Sequence, residues 1–380
     1  MPDTNPASNG ALAAGRRVVL VHDWLTGMRG GEKVLESLCR LFPDAPLLTL
    51  VHVRGSVSPL IESRRIRASV AQYLPGSGRL YRQFLPLYPS IIELFDLDDA
   101  DLVISTSHCA AKAVVPTGRT LHVCYCHSPM RYAWDQFDAY FGADRVGPAR
   151  RTFYRHVMAG LARWDRDTAP RVHRFLANSQ YVAGRIGRYY NRRASVVYPP
   201  VDTAFFTPDG NRPDPYFLVV SALVPYKRIE LAMTAADRLG VPLKVVGSGP
   251  EEARLRALAG PGVEFLGTID PSALRETYRR AQAVLLPGEE DFGIVPVEAM
   301  ACGRPVVALG LGGARETIVP GVTGLLVDEA TPGAFAAAAD RARRHPWDAA
   351  RIRAHAEQFS VDRFEAALGH TIAETLAAAS

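Results

Sequence analysis

Residues 283–303 read Ala-Val-Leu-Leu-Pro-Gly-Glu-Glu-Asp-Phe-Gly-Ile-Val-Pro-Val-Glu-Ala-Met-Ala-Cys-Gly. The apolar run Ala283–Leu286 has the length of a buried strand, and the Pro-Gly pair after it ends that strand. Pro296 suits the first residue of a helix, where no hydrogen-bonded N–H is needed. That reading places Glu298 in the helix's first turn and Glu290 in the loop before it. Strand, polar glycine-bearing loop and helix together form the repeating unit of a doubly wound α/β sheet, in which function sits on strand-to-helix loops.

Working outward, the same alternation recurs on both sides. Toward the C-terminus and just upstream, Tyr216–Ala222, Leu243–Gly247, Val263–Leu266 and Pro305–Ala308 read as strands, separated by helical stretches Arg228–Leu239, Glu251–Ala259, Ser272–Ala281 and Pro332–Arg343. In the first half Arg17–His22, Leu47–Val51, Leu102–Thr106, Leu121–Cys126, Arg174–Asn178 and Ser195–Tyr198 have the same character. A turn-rich connection, Asp202 to Pro215, separates the two series. The expectation is therefore two doubly wound Rossmann-like domains, residues 1–200 and 201–360, facing a central cleft that holds the ligands. The last helical stretch, from Val361, could pack on either.

A chain of 380 residues with 48% apolar and 22% charged residues has enough apolar surface for two cores and is not a disordered polymer. Met1 to Gly15 reads as an unstructured tail rather than a signal peptide, and no apolar run is long enough to span a bilayer. The cytoplasm is the expected compartment. Five scattered cysteines, Cys39, Cys109, Cys124, Cys126 and Cys302, argue against a disulfide framework or a zinc site. Residues 1–200 carry a net charge of +10 and the remainder −5. A basic half suits an anionic partner such as phosphate groups or a membrane surface, whereas nucleic acid lacks an accompanying recognition motif.

Either glutamate of the 283–303 segment could serve only as a helix-dipole complement or a solvated loop charge. Taken together they admit a sharper reading. The N–H groups of Ile294 and Val295 would face a diphosphate, and the two carboxylates would accept hydrogen bonds from sugar and ribose hydroxyls. Glu290 and Glu298, with Phe292, Gly293 and Ile294 between them and Glu-Ala-Met-Ala-Cys-Gly following, resemble the signature of the family 4 retaining glycosyltransferases of the GT-B fold. The resemblance extends through Pro305-Val306-Val307, the Gly312-Gly313 turn with Glu316, Gly321–Val327, Val219–Arg228 and Leu243–Gly249.

That resemblance implies roles. Glu290 would contact the transferred sugar, Glu298 the ribose, and Lys227 would neutralise the diphosphate as the leaving group gains charge. Many members of the family carry arginine where this chain has Ala222, and Arg228 is the nearest substitute. Gly249, in the Gly247-Ser-Gly-Pro250 turn, is a weak phosphate-loop signal and otherwise a packing glycine. Thr268 lies in the segment Phe265–Ile269 that would shape the base pocket. In the first half, Gly30 and Gly31 open a helix after Val18–Asp23, and in the family such a pair borders the leaving diphosphate. His127, after the strand Leu121–Cys126, would lie near the donor sugar, although a lone histidine in that place can be purely structural. His108 lines the pocket at most.

The form His127-Ser-Pro-Met-Arg-Tyr132 resembles a bacterial branch that includes mannosyltransferases of surface-polysaccharide assembly. It implies GDP-mannose as donor and a lipid-linked or oligosaccharide acceptor. The family suggests front-face attack with the donor's own phosphate taking the acceptor proton. No Asp-x-Asp motif sits at a strand end, so neither a metal nor another cofactor is expected. Arg64, Arg65, Arg67, Arg79 and Arg82, interleaved with Tyr73, Leu80, Tyr81, Phe84 and Leu87, could face anionic lipid on the inner membrane surface or form a helical cover with the arginines in water. Arg150, Arg151, Arg155, Arg163 and Arg166 are open to the same two readings. A UDP-sugar transferase, an epimerase of the same fold and a non-catalytic two-lobed binding protein remain as alternatives.

Overall fold

The computed structural model describes residues 15–142 and 146–379; the tail expected over Met1–Gly15 lies, Gly15 apart, outside them. The chain divides into two compact units, Met1–Pro200 with Asp362–Ser380, and Val201–Val361.

The first unit is built on seven parallel strands: β1 (Val18–His22), β2 (Leu47–Thr49), β3 (Ile66–Ala68), β4 (Leu102–Ser107), β5 (Leu121–Cys126), β6 (Arg174–Ala177) and β7 (Ala194–Val196). Their order is β3-β2-β1-β4-β5-β6-β7, so the winding reverses between β1 and β4. Strands buried on both faces read as continuous apolar runs, and β4 and β5 show this, with only Leu121 partly exposed. Cys124 and Cys126 occupy alternate positions of β5, and all five cysteines are buried and outside any disulfide. The C-terminal helix Val361–Ala377 completes this unit. Its Phe364, Leu368, Ile372 and Leu376 recur at helical spacing and join the core of Leu20, Ile104, Val123 and Tyr125. Arg40–Glu365 (2.6 Å) and Arg174–Glu374 (3.3 Å) fasten the helix from the outside.

The segment 64–95 departs from a helical cover. Arg67 sits on the edge strand β3, and the chain then runs through short helical and 3-10 turns between Val70 and Ile92. Pro75 and Gly76 separate the turn Val70–Tyr73 from Ser77–Leu80, Pro86 lies inside the 3-10 turn Tyr81–Leu87 and Pro89 in the first turn of Tyr88–Ile92, and a proline inside a helix removes an N–H and clashes with the preceding turn. Tyr81, Tyr88, Ile91 and Ile92 are buried, while Val70, Tyr73, Leu80, Leu87 and Leu94 are exposed.

The second unit has six parallel strands: β8 (Phe217–Val220), β9 (Leu243–Val246), β10 (Val263–Gly267), β11 (Ala283–Leu286), β12 (Val306–Leu309) and β13 (Gly324–Val327). The order β10-β9-β8-β11-β12-β13 reverses between β8 and β11. Helices Ile229–Leu239 and Pro332–Arg344 pack together on its core. Each sheet thus has one switch point, and loops that leave the carboxyl ends of its flanking strands are where such folds bind ligands.

Candidate active site

In the second unit the loops after β8 and β11 meet at the switch point. A Cβ at Gly288 would lie 2.5 Å from Lys227 Cα, so only glycine lets the backbones approach so closely. Lys227 Nζ donates to Glu290 Oε1, and the two side chains form an ion pair that is largely buried. Behind Glu290, Gly313 N donates to its carbonyl at 2.8 Å. Gly312, at φ 62°, is pressed against the same carbonyl, with 2.1 Å to where a Cβ would stand. The third loop, after β12, therefore fixes the height of Glu290.

The helix begins two residues earlier than Pro296 suggests: it runs Ile294–Ala301, with Gly293 (φ 89°) at its N-cap and no side chain capping it. Gly293's left-handed backbone turns the chain into the helix at Ile294, and Pro296 falls third, still within the turn that needs no N–H partner. The amides of Ile294 and Val295 are the leading edge of the helix. Glu298 is consequently the fifth residue, past the first turn, and its Oε2 accepts from the buried Tyr278 hydroxyl at 2.8 Å. Burial, reinforced by the neighbouring Glu298 charge, pushes the Tyr278 phenol well above its ordinary range, so it stays a hydrogen-bond donor. Phe292 is buried and meets Phe359 edge-on at 5.5 Å.

Of the other residues expected to bind the donor, Arg228 adopts a left-handed backbone (φ 50°), and its guanidinium donates to Ala330 O at 3.0 Å. Ala222 is exposed and brings no charge. A Cβ at Gly249 would sit 2.4 Å from Leu223 O, so its glycine is required for loop packing. Thr268 Oγ1 lies 3.4 Å from Ser248 Oγ, which ties the loops after β9 and β10 together.

In the first unit, three adjacent central strands each end in histidine: His22 closes β1, and His108 and His127 directly follow β4 and β5. Gly30 and Gly31 open helix Gly30–Leu41. A Cβ on Gly31 would stand 3.4 Å from His127 Nε2 and 3.6 Å from His22 Cε1, so Gly31 borders both imidazoles. His22 Nδ1 is 2.5 Å from Thr106 Oγ1, and its Nε2 lies 3.7 Å from Glu32 Oε1. The Nε2 atoms of His22 and His127 are buried and have no hydrogen-bond partner among the described residues. Burial, helped by the charges of His108 and His22, pushes His127 down to about 3, so it is a neutral imidazole at ordinary pH.

Asp23, His22 and Glu32 gave no spacing signal in the sequence. The strand-terminal His-Asp pair was visible, but its partners at 106–111 lie more than eighty residues away and arrive only through the β1–β4 pairing. Asp23 is fully buried and accepts the backbone N–H groups of His108 (2.7 Å), Cys109 (3.0 Å), Ala110 (2.7 Å) and Ala111 (2.7 Å). Burial alone would raise its pKa; the adjacent His108 and these bonds outweigh it and hold the carboxyl far below the usual range.

The basic residues of segment 64–82 divide. Arg64 donates to Pro43 O and Arg65 to Asp44 O, the latter at 2.9 Å, whereas Arg79 and Arg82 are exposed and Arg82 lies over the Tyr81 ring at 5.1 Å.

Residues 202–359 match the family model described as Glycosyl transferases group 1, and residues 28–205 match Glycosyltransferase Family 4. A D-inositol 3-phosphate glycosyltransferase of Geodermatophilus obscurus is 36% identical over 225 residues, half of this chain and half of that protein. The chain thus spans about half the length of the curated relatives it matches. Among solved structures, sucrose-phosphate synthase from Thermosynechococcus elongatus superposes with a TM-score of 0.71 at 18% identity, over 96% of this chain and 100% of that one. Anabaena Alr3699/HepE in complex with UDP gives 0.67 at 20% identity, over 95% and 100%. At such identities the likeness speaks for the fold, two parallel-sheet Rossmann-like domains of the GT-B kind. Two family models that overlap at residues 202–205 and together run from residue 28 to residue 359 make the chain a glycosyltransferase of the GT-B fold, similar to family 4.

Proposed function

We propose that this chain transfers a hexose from a nucleoside-diphosphate sugar to a hydroxyl of a lipid-linked or oligosaccharide acceptor, keeping the anomeric configuration and using no metal. The observation that carries the reading is the Lys227–Glu290 pair at the second unit's switch point, next to the uncapped start of helix Ile294–Ala301. A diphosphate would take Lys227 as its counter-ion and the Ile294 and Val295 amides as donors, leaving Glu290 to accept from sugar hydroxyls. Glu298, positioned by Tyr278, would take the ribose. Residues 1–200 would receive the acceptor.

For the donor, the His127–Tyr132 sequence favours GDP-mannose. The UDP complex of the Anabaena protein favours a uridine donor as the second reading. For location, residues 63–92 carry five arginines and no acidic residue, among exposed apolar side chains that include Tyr73 at 87% exposure. This is the composition of a surface resting on anionic lipid, and it supports peripheral attachment to the cytoplasmic face of the inner membrane. No described helix is long and apolar enough to cross a membrane.

Thermal shift with GDP, UDP, ADP and their sugar conjugates, in EDTA throughout, tests the reading, because a ligand of the folded state raises the melting temperature. Stabilisation by GDP and GDP-mannose that is lost in Glu298→Ala supports the mannose donor. A response to UDP alone moves the donor to the uridine class. Silence toward every nucleotide at millimolar concentration sinks the transferase, and conversion of a donor to a free epimeric sugar nucleotide replaces it with an epimerase.

A further inference from the structure

We infer that helix Pro148–Asp167 docks, together with residues 70–92, on the phosphate groups of an anionic bilayer, so that one face of the first sheet is the membrane side. The inference rests on the peripheral attachment read above from residues 63–92 and not on the transfer reaction.

Successive side chains of a strand point to opposite faces of a sheet. Leu20, Leu47 and Ile104 lie in the core covered by helices Gly30–Leu41 and Val361–Ala377. Their neighbours Val21, Leu48 and Val103 lie in the core on the other face, with Tyr81, Tyr88 and Ile92. Trp164 of helix Pro148–Asp167 packs against that same core, as do Phe84 and Leu85. The helix and segment 70–92 therefore cover one face of one sheet.

The helix is fastened at its C-terminal end. Lys112 Nζ lies 3.1 Å from Asp165 Oδ1 in a fully buried pair, and Asp165 Oδ2 accepts from Trp134 Nε1 (2.8 Å) and the Tyr190 hydroxyl (2.9 Å). Met158, Leu161 and Ala162 complete the buried stretch, whereas none of residues 148–157 is buried. Arg150, Phe153, His156 and Arg163 recur at helical spacing on the side away from Met158, Ala162 and Asp165, and all four are exposed, Phe153 to 64%.

Residues 146–164 hold four arginines and no acidic residue. Arg79, Arg82, Arg150, Arg155 and Arg163 are exposed and have no acidic partner among the described residues. The acidic groups of the preceding short helices are already engaged: Asp135 by Arg185 at 2.8 Å and Asp138 by Arg151 at 2.6 Å. Across the sheet the balance is reversed. Helix Val361–Ala377 sets Asp362, Glu365 and Glu374 against Arg363, and Arg40 of helix Gly30–Leu41 is taken up by Glu365. Guanidinium groups without carboxylate partners match lipid phosphates, and exposed aromatic rings beside them suit the boundary between headgroups and acyl chains.

The test is co-sedimentation of the full chain with vesicles of phosphatidylcholine alone, and of phosphatidylcholine and phosphatidylglycerol in a two-to-one ratio. The wild type should bind the anionic vesicles only and be released by high salt. Each arginine close to an anionic bilayer raises partitioning roughly fivefold, so Arg150→Gln/Arg155→Gln/Arg163→Gln should lower binding on the order of 100-fold, with the nucleotide thermal shift unchanged. Arg79→Gln/Arg82→Gln should lower it roughly 20-fold. The native cysteines are buried, so an environment-sensitive fluorophore can be attached at one introduced cysteine. At Phe153→Cys its emission should shift to the blue with anionic vesicles; at Asp362→Cys, on the opposite face of the sheet, it should not.

A triple variant that binds within a few-fold of wild type, or an equal shift at both labels, overturns the inference. If Arg79→Gln/Arg82→Gln still releases the chain in that case, attachment through residues 63–92 stands. Release by millimolar inorganic phosphate, or preference for a duplex oligonucleotide over the vesicles, would make the surface a site for a soluble anion and overturn the inference as well. A wild type that binds neither kind of vesicle removes the membrane reading altogether, while the nucleotide thermal shift still reports on the transferase.

Discussion

Lys227 and Glu290 neutralise each other in the ligand-free chain, so a diphosphate that binds here has to exchange one partner of the lysine for another. The two substitutions should therefore act in opposite directions on binding. Lys227→Ala removes a charge-assisted hydrogen bond of about 1.5–3 kcal/mol and should weaken nucleoside diphosphate binding roughly 10- to 100-fold. Glu290→Gln frees the lysine, and calorimetric titration should find the diphosphate bound as tightly as in wild type or more tightly, while transfer falls on the order of 100-fold. Equal weakening by both variants would mean that the pair is only a structural clamp. Tyr278 belongs to the same logic: Tyr278→Phe removes the hydroxyl that holds Glu298 Oε2 and should raise the Kd for nucleotide several-fold without touching the sugar end. Comparison of GDP-mannose with GDP in that variant checks the last clause.

At the scale of elements, three loops fix the position of one carboxylate, and glycine is what lets them close. Gly312→Ala forces a Cβ to within 2.1 Å of the Glu290 carbonyl on a left-handed backbone, at a cost of about 1–2 kcal/mol for the conformation before the clash. We expect a folded protein with kcat/KM reduced at least tenfold, read from nucleotide release. The C-terminal helix offers a contrasting element, important to packing and remote from this loop: Leu368→Ala should cost about 2–5 kcal/mol and show in calorimetry as a lowered transition for the first unit alone. Most of these elements were legible. Apolar runs such as Leu121–Cys126 and Ala283–Leu286 coincide with strands because a doubly covered parallel strand has no polar face to blur its ends. β3 escaped notice, since its three residues include Arg67 on an exposed edge, and β13 begins with Gly324, whose Cβ would lie 2.0 Å from Val306 O. The loop between β11 and the helix Ile294–Ala301 could be read because Gly288, Glu290, Gly293 and Glu298 are close in sequence. The Asp23–His108 pairing could not, because it is a product of strand order and has no local signature.

For the molecule as a whole, the buried ionisable groups are unevenly shared, and acid should reveal it. His122, in β5, is buried with Ser105 Oγ 2.8 Å from its Nε2 and Arg171 O 3.1 Å from its Nδ1, and burial pushes it down to about 3, as it does His127. A histidine held neutral in the native state binds its proton only on unfolding, so below about pH 6.5 the unfolded chain carries more protons and stability falls as pH falls. The loss runs from about 6.5 down to about 3, at up to about 1.4 kcal/mol per pH unit for each histidine. Asp23 acts later and with the opposite charge state: its carboxyl, depressed in the native state, contributes stability that is present above the ordinary aspartate pKa and lost as pH drops below about 4. All three groups belong to the first unit, whereas the second unit's two histidines, His345 and His355, are not buried. Scanning calorimetry at pH 7 and pH 5 should therefore show the first unit's transition moving down by the equivalent of about 4 kcal/mol, while the transition that responds to nucleotide stays in place. Parallel movement of both transitions would place the proton uptake elsewhere, and an unmoved first transition would mean that His122 and His127 titrate alike in the folded and unfolded chain.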